Sequence, residues 1–156
     1  MFLIPDWAPN LHPLVIHFPI VLIITAFVCD LAAVGLSRPV WLGDAALGLY
    51  GAGVASAVVA YWSGLDAGAD VLMSGAAYIT VQEHQRWALG TTSYWGLFTA
   101  ARLAARLRAR RPGRVGMLLF LAGGALGVLF LQQTAERGAR LVYEHGVGVI
   151  AAPWSR

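Results

Sequence analysis

Long runs of apolar residues, separated by short polar segments, make up most of this chain. Four of these runs are long enough to cross a hydrocarbon layer as helices, which takes about 20 residues. The predicted spans cover about residues 14–36, 41–63, 84–106 and 115–134. Residues 135–156 then form a periplasmic or interfacial tail. The pattern predicts an all-α fold: a single membrane domain over 1–156, built as a four-helix transmembrane bundle that runs up-down-up-down.

The composition supports a membrane location. Hydrophobic residues make up 58% of the chain and charged residues only 12%. A soluble domain carries about 25% charged residues, because its surface has to stay hydrated. The composition therefore excludes an ordinary soluble globule, a disordered chain and a nucleic-acid-binding protein with a basic face, and we expect lipids around the bundle.

The positions of the arginines predict the orientation. All 11 basic residues are Arg, and seven of them lie at the end of the bundle shared by the two short links. These seven are Arg38, Arg102, Arg106, Arg108, Arg110, Arg111 and Arg114. Because arginine next to a span favours the cytoplasmic side, both termini are expected in the periplasm of a bacterium, with the bundle in its inner membrane. The first ten residues lack the positive charge of a leader, so the first span is expected to remain as a helix.

Small residues recur along two of the predicted helices. They are Gly48, Ala52, Ser56 and Ala60 on the second span, and Gly116, Gly123 and Gly127 on the fourth. Small side chains at this spacing let helices approach closely in lipid. The pattern predicts close helix packing, with room for a flat cofactor or a lipid as the alternative.

Two acidic residues lie near the inner ends of the first two spans. Asp30 and Asp44 are close in sequence to Arg38, which predicts an ion pair or solvation at the interface. A proton path is the alternative interpretation, since acidic residues inside membranes often carry protons.

The four histidines all fall at the predicted outer end. His17 and His84 lie at similar depth on the first and third spans, which can sit diagonally in the bundle. Two imidazoles facing inward from diagonal helices would suit a bis-histidine haem b. His12 is five residues from His17, about 140° around a helix, so both cannot face one iron. With Pro13 placing it at the helix start, His12 is the weaker candidate.

His145 follows the fourth span and joins the site only if the chain folds back. Gly146 is typical of a helix end, so His145 either returns to meet His84 or His17, or stays at the surface. Three arginines at this level would pair with haem propionates or extend towards lipid phosphates: Arg86, Arg137 and Arg140.

A metal ion is the alternative ligand for the histidines. A copper or zinc site would use His17, His84 and His145, with Glu83 or Glu144 as a further ligand or as an orienting partner. The single Cys29 excludes a CxxC motif and a disulfide within the chain.

Two motifs resemble those of a bacterial family of small predicted membrane proteins with a domain of unknown function. Residues 12–19 read His-Pro-Leu-Val-Ile-His-Phe-Pro, and residues 143–148 read Tyr-Glu-His-Gly-Val-Gly. His84 matches a histidine that commonly opens the third helix of that family. The resemblance covers nearly the whole chain, implies the four-helix fold, and points to His12, His17, His84 and His145. A looser similarity to di-haem cytochrome b bundles implies electron transfer, although here no histidine lies at the inner face.

Three functions follow from these observations. The first is a haem-b-binding electron-transfer subunit with its haem near the periplasmic face, working with a c-type cytochrome or a larger membrane complex. The second is a cofactor-free accessory subunit of a respiratory or photosynthetic complex. The third is a copper or zinc site facing the periplasm. No catalytic motif is visible in the sequence.

Overall fold

The fold is helical throughout the part of the chain that the structure describes. This computed structural model describes residues 10–36, 40–69, 75–108 and 113–149. The helices, in chain order, are α1 (His12–Val15), α2 (His17–Gly35), α3 (Val40–Ala69), α4 (Gly75–Leu107) and α5 (Arg114–Tyr143). These described ranges contain no strand, which confirms the all-α prediction.

The first two helices follow one another almost without interruption. Pro13 lies in the first turn of α1, where its missing N–H costs no hydrogen bond. The backbone N–H of Ile16 still donates to the His12 carbonyl at 3.1 Å across the junction. The 24-residue segment from His12 to Gly35 is therefore one helical path, long and apolar enough to cross a membrane.

The other helices are longer than the predicted spans, and they extend at the histidine-bearing end. α3 continues to Ala69 rather than residue 63, α4 begins at Gly75 rather than residue 84, and α5 continues to Tyr143 rather than residue 134. Hydropathy measures only the apolar part of a helix. The helix itself can continue beyond that part, because polar side chains at its ends can pair with one another or with water. At 30 residues, α3 and α5 are each about 45 Å long, which exceeds a hydrocarbon layer of about 30 Å.

Three of the four predicted spans are apolar enough to cross a membrane. These are the segments His12–Gly35, Val40–Ala69 and Arg114–Tyr143. The predicted third span lies within α4, whose central residues include Thr, Ser, Tyr and Trp as well as Arg102. The structure turns part of this polar face inwards, since Thr91 and Trp95 are both buried. Some of the polar side chains of α4 therefore face the interior of the bundle and not the lipid.

The helices form a ring around a small core. α3 packs on both α2 and α4, α5 packs on α4, and a smaller contact between α2 and α5 closes the ring. The buried centre consists of Ile23, Ala26, Ala46, Tyr50 and Trp95. Tyr50 and Trp95 stack with their ring centres 5.1 Å apart, so two large aromatic rings fill the space between the helices.

The glycines of α5 allow the aromatic rings of α4 to pack closely. A Cβ atom at Gly123 would lie 3.0 Å from the Phe98 ring, and one at Gly127 would overlap the Trp95 ring. Trp95 is fully buried, so it has no space to move away. The predicted close packing along this helix is confirmed for Gly123 and Gly127.

The small residues of α3 behave differently. Gly48 and Ala52 are exposed, and a Cβ atom at Gly48 would have no neighbour within 4 Å. The close contact is made by Gly53, where a Cβ would lie 2.7 Å from Ile23. The prediction that Gly48 and Ala52 pack against another helix of this chain is therefore wrong. A four-residue spacing marks one face of a helix but does not tell which way that face points.

The outer surface of the bundle is strongly apolar. Val21 is 60% exposed, Leu97 75% and Leu119 68%, on three different helices. Apolar residues exposed around a whole bundle would destabilise a protein in water and suit a lipid environment.

Candidate functional site

Two histidine rings meet at one end of the bundle. The ring centres of His12 and His84 are 6.4 Å apart, and the ring planes are 80° from each other. His12 opens α1 and His84 lies in the first third of α4, and both side chains are partly buried. The helical path that starts at His12 and α4 are not neighbours in the ring of helices, so the two imidazoles meet across the interior.

The His12 ring is fixed by α3. Its Nδ1 atom lies 3.0 Å from the Ala60 carbonyl oxygen and 3.1 Å from the Ser63 hydroxyl oxygen. Because a carbonyl oxygen can only accept, Nδ1 carries the hydrogen and donates it. Gly64 provides the space for the ring, since a Cβ there would lie 2.8 Å from the imidazole Cε1 atom.

The His84 ring is fixed by α5 in the same way. Its Nδ1 atom donates to the Thr134 carbonyl oxygen at 3.0 Å. A Cβ atom at Gly138 would lie 3.1 Å from the His84 Cε1 atom, so this glycine also makes room for an imidazole. The Thr134 side chain is engaged elsewhere, at 2.7 Å from the Thr91 hydroxyl.

The carbonyls of Ala60 and Thr134 determine which nitrogen of each imidazole carries the hydrogen. An imidazole that donates from Nδ1 and stays neutral has a lone pair on Nε2, the atom that binds metals. Histidines that bind metals nearly always donate their other ring N–H to a carbonyl, a carboxylate or water, because this fixes the ring and makes it a better ligand. Neither Nε2 atom has a hydrogen-bond partner within the described segments.

His17 lies outside this arrangement. It is exposed on α2, whereas His12 lies beside His84. The two N-terminal histidines point in different directions, as their five-residue spacing predicts. The structure therefore pairs His84 with the histidine that the sequence favoured less.

His145 lies just after the end of α5 and contacts α4. Gly146 has a φ of +64°, a conformation that favours glycine, and it follows the end of α5. The His145 Nε2 atom then lies 3.0 Å from the Thr80 hydroxyl, one helical turn before His84. The structure gives His145 Thr80 as its hydrogen-bond partner, and not His84 or His17, the partners expected if the chain folded back.

Arg137 is partly buried at the end of the bundle that holds the two imidazoles. The Arg137 guanidinium lies over the Trp87 ring at 4.6 Å and donates to the Gln133 carbonyl at 2.8 Å. Its Nε atom is buried and has no hydrogen-bond partner in the described part of the chain. The Glu83 carboxylate forms an ion pair with this atom at 3.9 Å, which is too long for a hydrogen bond. A largely buried guanidinium with a free donor is suited to hold a carboxylate.

The other two candidate arginines face outwards. Arg140 is half exposed and donates to Glu136 at 2.7 Å, one turn before it on α5. Arg86 is exposed on α4. Of the three predicted arginines, Arg137 is the one that the fold encloses.

The opposite end of the bundle contains a buried ion pair. Arg102 donates two hydrogen bonds to the Asp30 carboxylate, at 2.6 and 2.8 Å, and the Tyr50 hydroxyl donates a third at 3.0 Å. Asp30 is only 3% exposed. The guanidinium also lies over the rings of Tyr50, Phe98 and Phe120, at 5.2 to 5.8 Å from their centres. A cavity of about 40 Å³ adjoins the pair, room for one or two waters.

The predicted ion pairing of the two aspartates is confirmed, with partners that the sequence did not identify. Asp44 pairs with Arg106 at 2.8 Å in an exposed position, while Asp30 pairs with Arg102. Arg38, the partner expected from the sequence, lies outside the described residues. The sequence does contain a signal for the Asp30–Arg102 contact. Asp30 lies eighteen residues after His12, and Arg102 lies eighteen residues after His84.

The three-histidine metal site is not assembled in the described segments. Within residues 10–36, 40–69, 75–108 and 113–149, no group of three or more His, Cys, Asp or Glu side chains is arranged to hold an ion. His145 contacts Thr80, and His17 is exposed. The arrangement presents two imidazoles, each oriented by a backbone carbonyl.

Sequence reasoning missed the groups that hold the imidazoles. Gly64 and Gly138 give the rings their space, and the carbonyls of Ala60 and Thr134 orient them. Carbonyl groups leave no signal in a sequence. The two glycines do, because each follows its anchoring residue by four positions, one turn along the helix.

Comparison with known proteins agrees with the motifs at the two ends of the chain. No curated protein and no solved structure matches the chain significantly. One family, described as a predicted membrane protein (DUF2231), matches residues 8–151, which include both histidine motifs and all the helices. The resemblance predicted from the sequence is confirmed, and the chain belongs to the DUF2231 family of predicted membrane proteins.

Proposed function

We propose that this protein is an integral membrane electron-transfer subunit that binds haem b between His12 and His84, near the periplasmic face. The observation that carries the proposal is the pair of neighbouring imidazoles, each with Nδ1 donating to a backbone carbonyl. Both rings are thereby fixed with Nε2 as the metal-binding atom. His12 takes the place of His17 in this proposal, because His17 is exposed.

The spacing of the rings would allow both imidazoles to hold one metal ion. With metal–nitrogen bonds of about 2 Å and a ring centre about 1 Å beyond each nitrogen, two imidazoles on opposite sides of one ion have centres about 6 Å apart. The centres of His12 and His84 are 6.4 Å apart. When bound, the haem iron would supply reversible one-electron chemistry, while these residues hold and orient it.

The positive charge of Arg137 supports an anionic group beside His84. Its buried Nε atom has no hydrogen-bond partner in the described segments, where the Glu83 carboxylate lies 3.9 Å away, and stacking on Trp87 holds the guanidinium in place. A haem propionate would provide a carboxylate within hydrogen-bond distance of this donor. Arg86 and Arg140 are left for lipid phosphates or for solvent, since both are exposed.

The proposed topology is up-down-up-down in a bacterial inner membrane, with both termini in the periplasm. Two contacts support it: the start of α1 reaches the end of α3, and the start of α4 reaches the end of α5, both through the imidazoles. The predicted excess of arginine at the other end supports the orientation. Alkaline phosphatase fused after residue 156 is expected to be active, and activity only of a cytoplasmic reporter there would contradict the orientation.

The decisive experiment measures haem in the full-length protein, purified in mild detergent from haem-replete cells. A pyridine haemochrome assay and a reduced-minus-oxidised spectrum are expected to reveal haem b. We expect His12→Ala and His84→Ala to lose it, because each removes one axial ligand. His17→Ala is the matched control, since it changes the same motif at an exposed position, and it should keep the haem.

Two results would reject the proposal. A colourless wild-type protein would favour the cofactor-free accessory subunit, in which the imidazoles only anchor helices to one another. Haem retained in His12→Ala but lost in His17→Ala would return the ligand role to the exposed histidine. Elemental analysis of the same samples tests the copper or zinc alternative.

A further inference from the structure

We infer that the chain consists of two equivalent helical hairpins, and that the His12–His84 site lies on the approximate two-fold axis between them. The first hairpin is α1, α2 and α3, and the second is α4 and α5. Each hairpin contributes one imidazole, one carbonyl that orients it and one glycine that gives it space.

The first helices of the two hairpins correspond at an offset of 72 residues. The corresponding pairs are His12 and His84, Ile23 and Trp95, and Asp30 and Arg102. The members of each pair have matching environments. The two histidines face each other, Ile23 and Trp95 are both fully buried, and the aspartate and arginine bind each other.

The second helices correspond at an offset of 74 residues. The corresponding pairs are Gly53 and Gly127, Ala60 and Thr134, and Gly64 and Gly138.

Three contacts between the two helices of a hairpin are repeated at these positions. Each histidine donates from Nδ1 to a carbonyl at 3.0 Å, that of Ala60 in the first hairpin and that of Thr134 in the second. The glycine four residues further along, Gly64 or Gly138, faces the Cε1 atom of that histidine. Gly53 faces the buried Ile23 side chain, and its counterpart Gly127 faces the buried Trp95 ring. Any bundle of two hairpins has a rough two-fold shape, but only a true repeat reproduces individual hydrogen bonds and close contacts in the same register.

The amino-acid sequence carries traces of the same correspondence. Residues 31–33 and residues 103–105 both read Leu-Ala-Ala, at the offset of the first helices. Residues 53–54 and residues 127–128 both read Gly-Val, at the offset of the second helices. These identities lie beside the buried positions that correspond in the structure, so sequence and packing support one alignment.

A two-fold axis explains why equivalent residues meet. Any residue close to the axis contacts its own counterpart, and this occurs at both ends of the bundle. The two meeting points are eighteen residues apart along each helix, about 27 Å. The outer point joins two identical imidazoles, whereas the inner point joins the complementary charges of Asp30 and Arg102.

The repeat also specifies the kind of ligand that suits the imidazole pair; this step rests on the proposed function. Two equivalent imidazole nitrogens would suit a metal ion whose other ligands are supplied by a cofactor such as haem. A tetrahedral ion would need three or four protein ligands, and a two-fold axis through a single pair supplies two.

A charge exchange at the inner meeting point tests the repeat independently of any cofactor. In the full-length protein, Asp30→Arg and Arg102→Asp would each place two like charges together and lower the thermal midpoint by about 10 °C or more. If the positions are equivalent, the double variant recovers at least half of that loss. Recovery should be incomplete, because Tyr50, which donates to Asp30, corresponds to Gly124 in the other hairpin. A double variant no more stable than the worse single variant would overturn the inference.

The exchange of Asp44 and Arg106 serves as the control. This pair is exposed and its members do not correspond in the repeat, so its single and double variants should differ little in midpoint.

Alanine at the two ring-facing glycines tests the symmetry of the site and remains informative if the charge variants fail to fold. Gly64→Ala and Gly138→Ala are each expected to lower the haem content by a similar factor, about tenfold. Gly48→Ala should leave the haem content unchanged, because that glycine has open space around it. Loss of haem in one ring-facing variant and full retention in the other would overturn the two-fold site. A haem-free wild-type protein would reject the proposed function, and the charge exchange alone would then decide the repeat.

Discussion

Arg102→Met tests how strongly the buried ion pair holds the bundle together. The substitution keeps most of the apolar stem and removes the guanidinium that donates two hydrogen bonds to Asp30, at 2.6 and 2.8 Å. It leaves a carboxylate that is 3% exposed, with only the Tyr50 hydroxyl as a donor. Removing one partner of a buried pair costs about 3–5 kcal/mol, because the remaining charge stays desolvated. The Tyr50 hydrogen bond persists, so we expect a loss of about 3 kcal/mol.

The measurement is the free energy of unfolding in mixed micelles, followed by tryptophan fluorescence. Asp30→Asn with Arg102→Met removes both charges and is expected to be more stable than Arg102→Met alone, since no unpaired carboxylate remains. Arg106→Met is the control, because its pair with Asp44 is about half exposed and should contribute little to stability. A loss below 1 kcal/mol for Arg102→Met, or a double variant less stable than that single variant, would refute this account of the pair.

Three further outcomes are expected. Gly127→Ala should lower the free energy of unfolding by about 1–3 kcal/mol, because its methyl group would overlap the buried Trp95 ring, whereas Gly48→Ala should not lower it; equal stabilities would contradict the packing. Thr80→Val should remove the contact between α4 and the residues directly after α5, at a cost of about 1 kcal/mol, seen as faster hydrogen exchange around His145; unchanged exchange would argue against that contact. If haem b binds as proposed, the oxidised protein should give a highly anisotropic low-spin electron paramagnetic resonance signal, because the two imidazole planes are 80° apart; a spectrum typical of parallel imidazole planes would contradict the geometry.

The two meeting points give the bundle different chemistry at its two ends. In the Asp30–Arg102 pair both carboxylate oxygens accept hydrogen bonds and aromatic rings enclose the guanidinium, which suits a structural role in lipid. The outer pair has its Nδ1 atoms satisfied and its Nε2 atoms free within the described segments. This contrast is the physical reason for placing the functional site at the outer end.

The sequence by itself determined the helical class, the family, three of the apolar spans and the end of the bundle at which the histidines lie. These properties depend on local composition and on short motifs, so they can be read without knowing which residues touch. Hydropathy underestimated the lengths of α3, α4 and α5, because helices continue through polar residues that pair along their own surface, as Arg140 does with Glu136.

Only the tertiary structure decided which histidine meets His84 and which arginine meets Asp30. Both contacts cross the bundle between helices that are distant in sequence, so their geometry depends on the rotation of each helix about its axis. His12 and His17 lie about 140° apart around the helix, and the apolar pattern of a lipid-facing helix does not fix the rotation that turns His12 inwards and leaves His17 exposed. Carbonyl anchors and close-packed glycines fix it, as Gly64 and the Ala60 carbonyl do for His12.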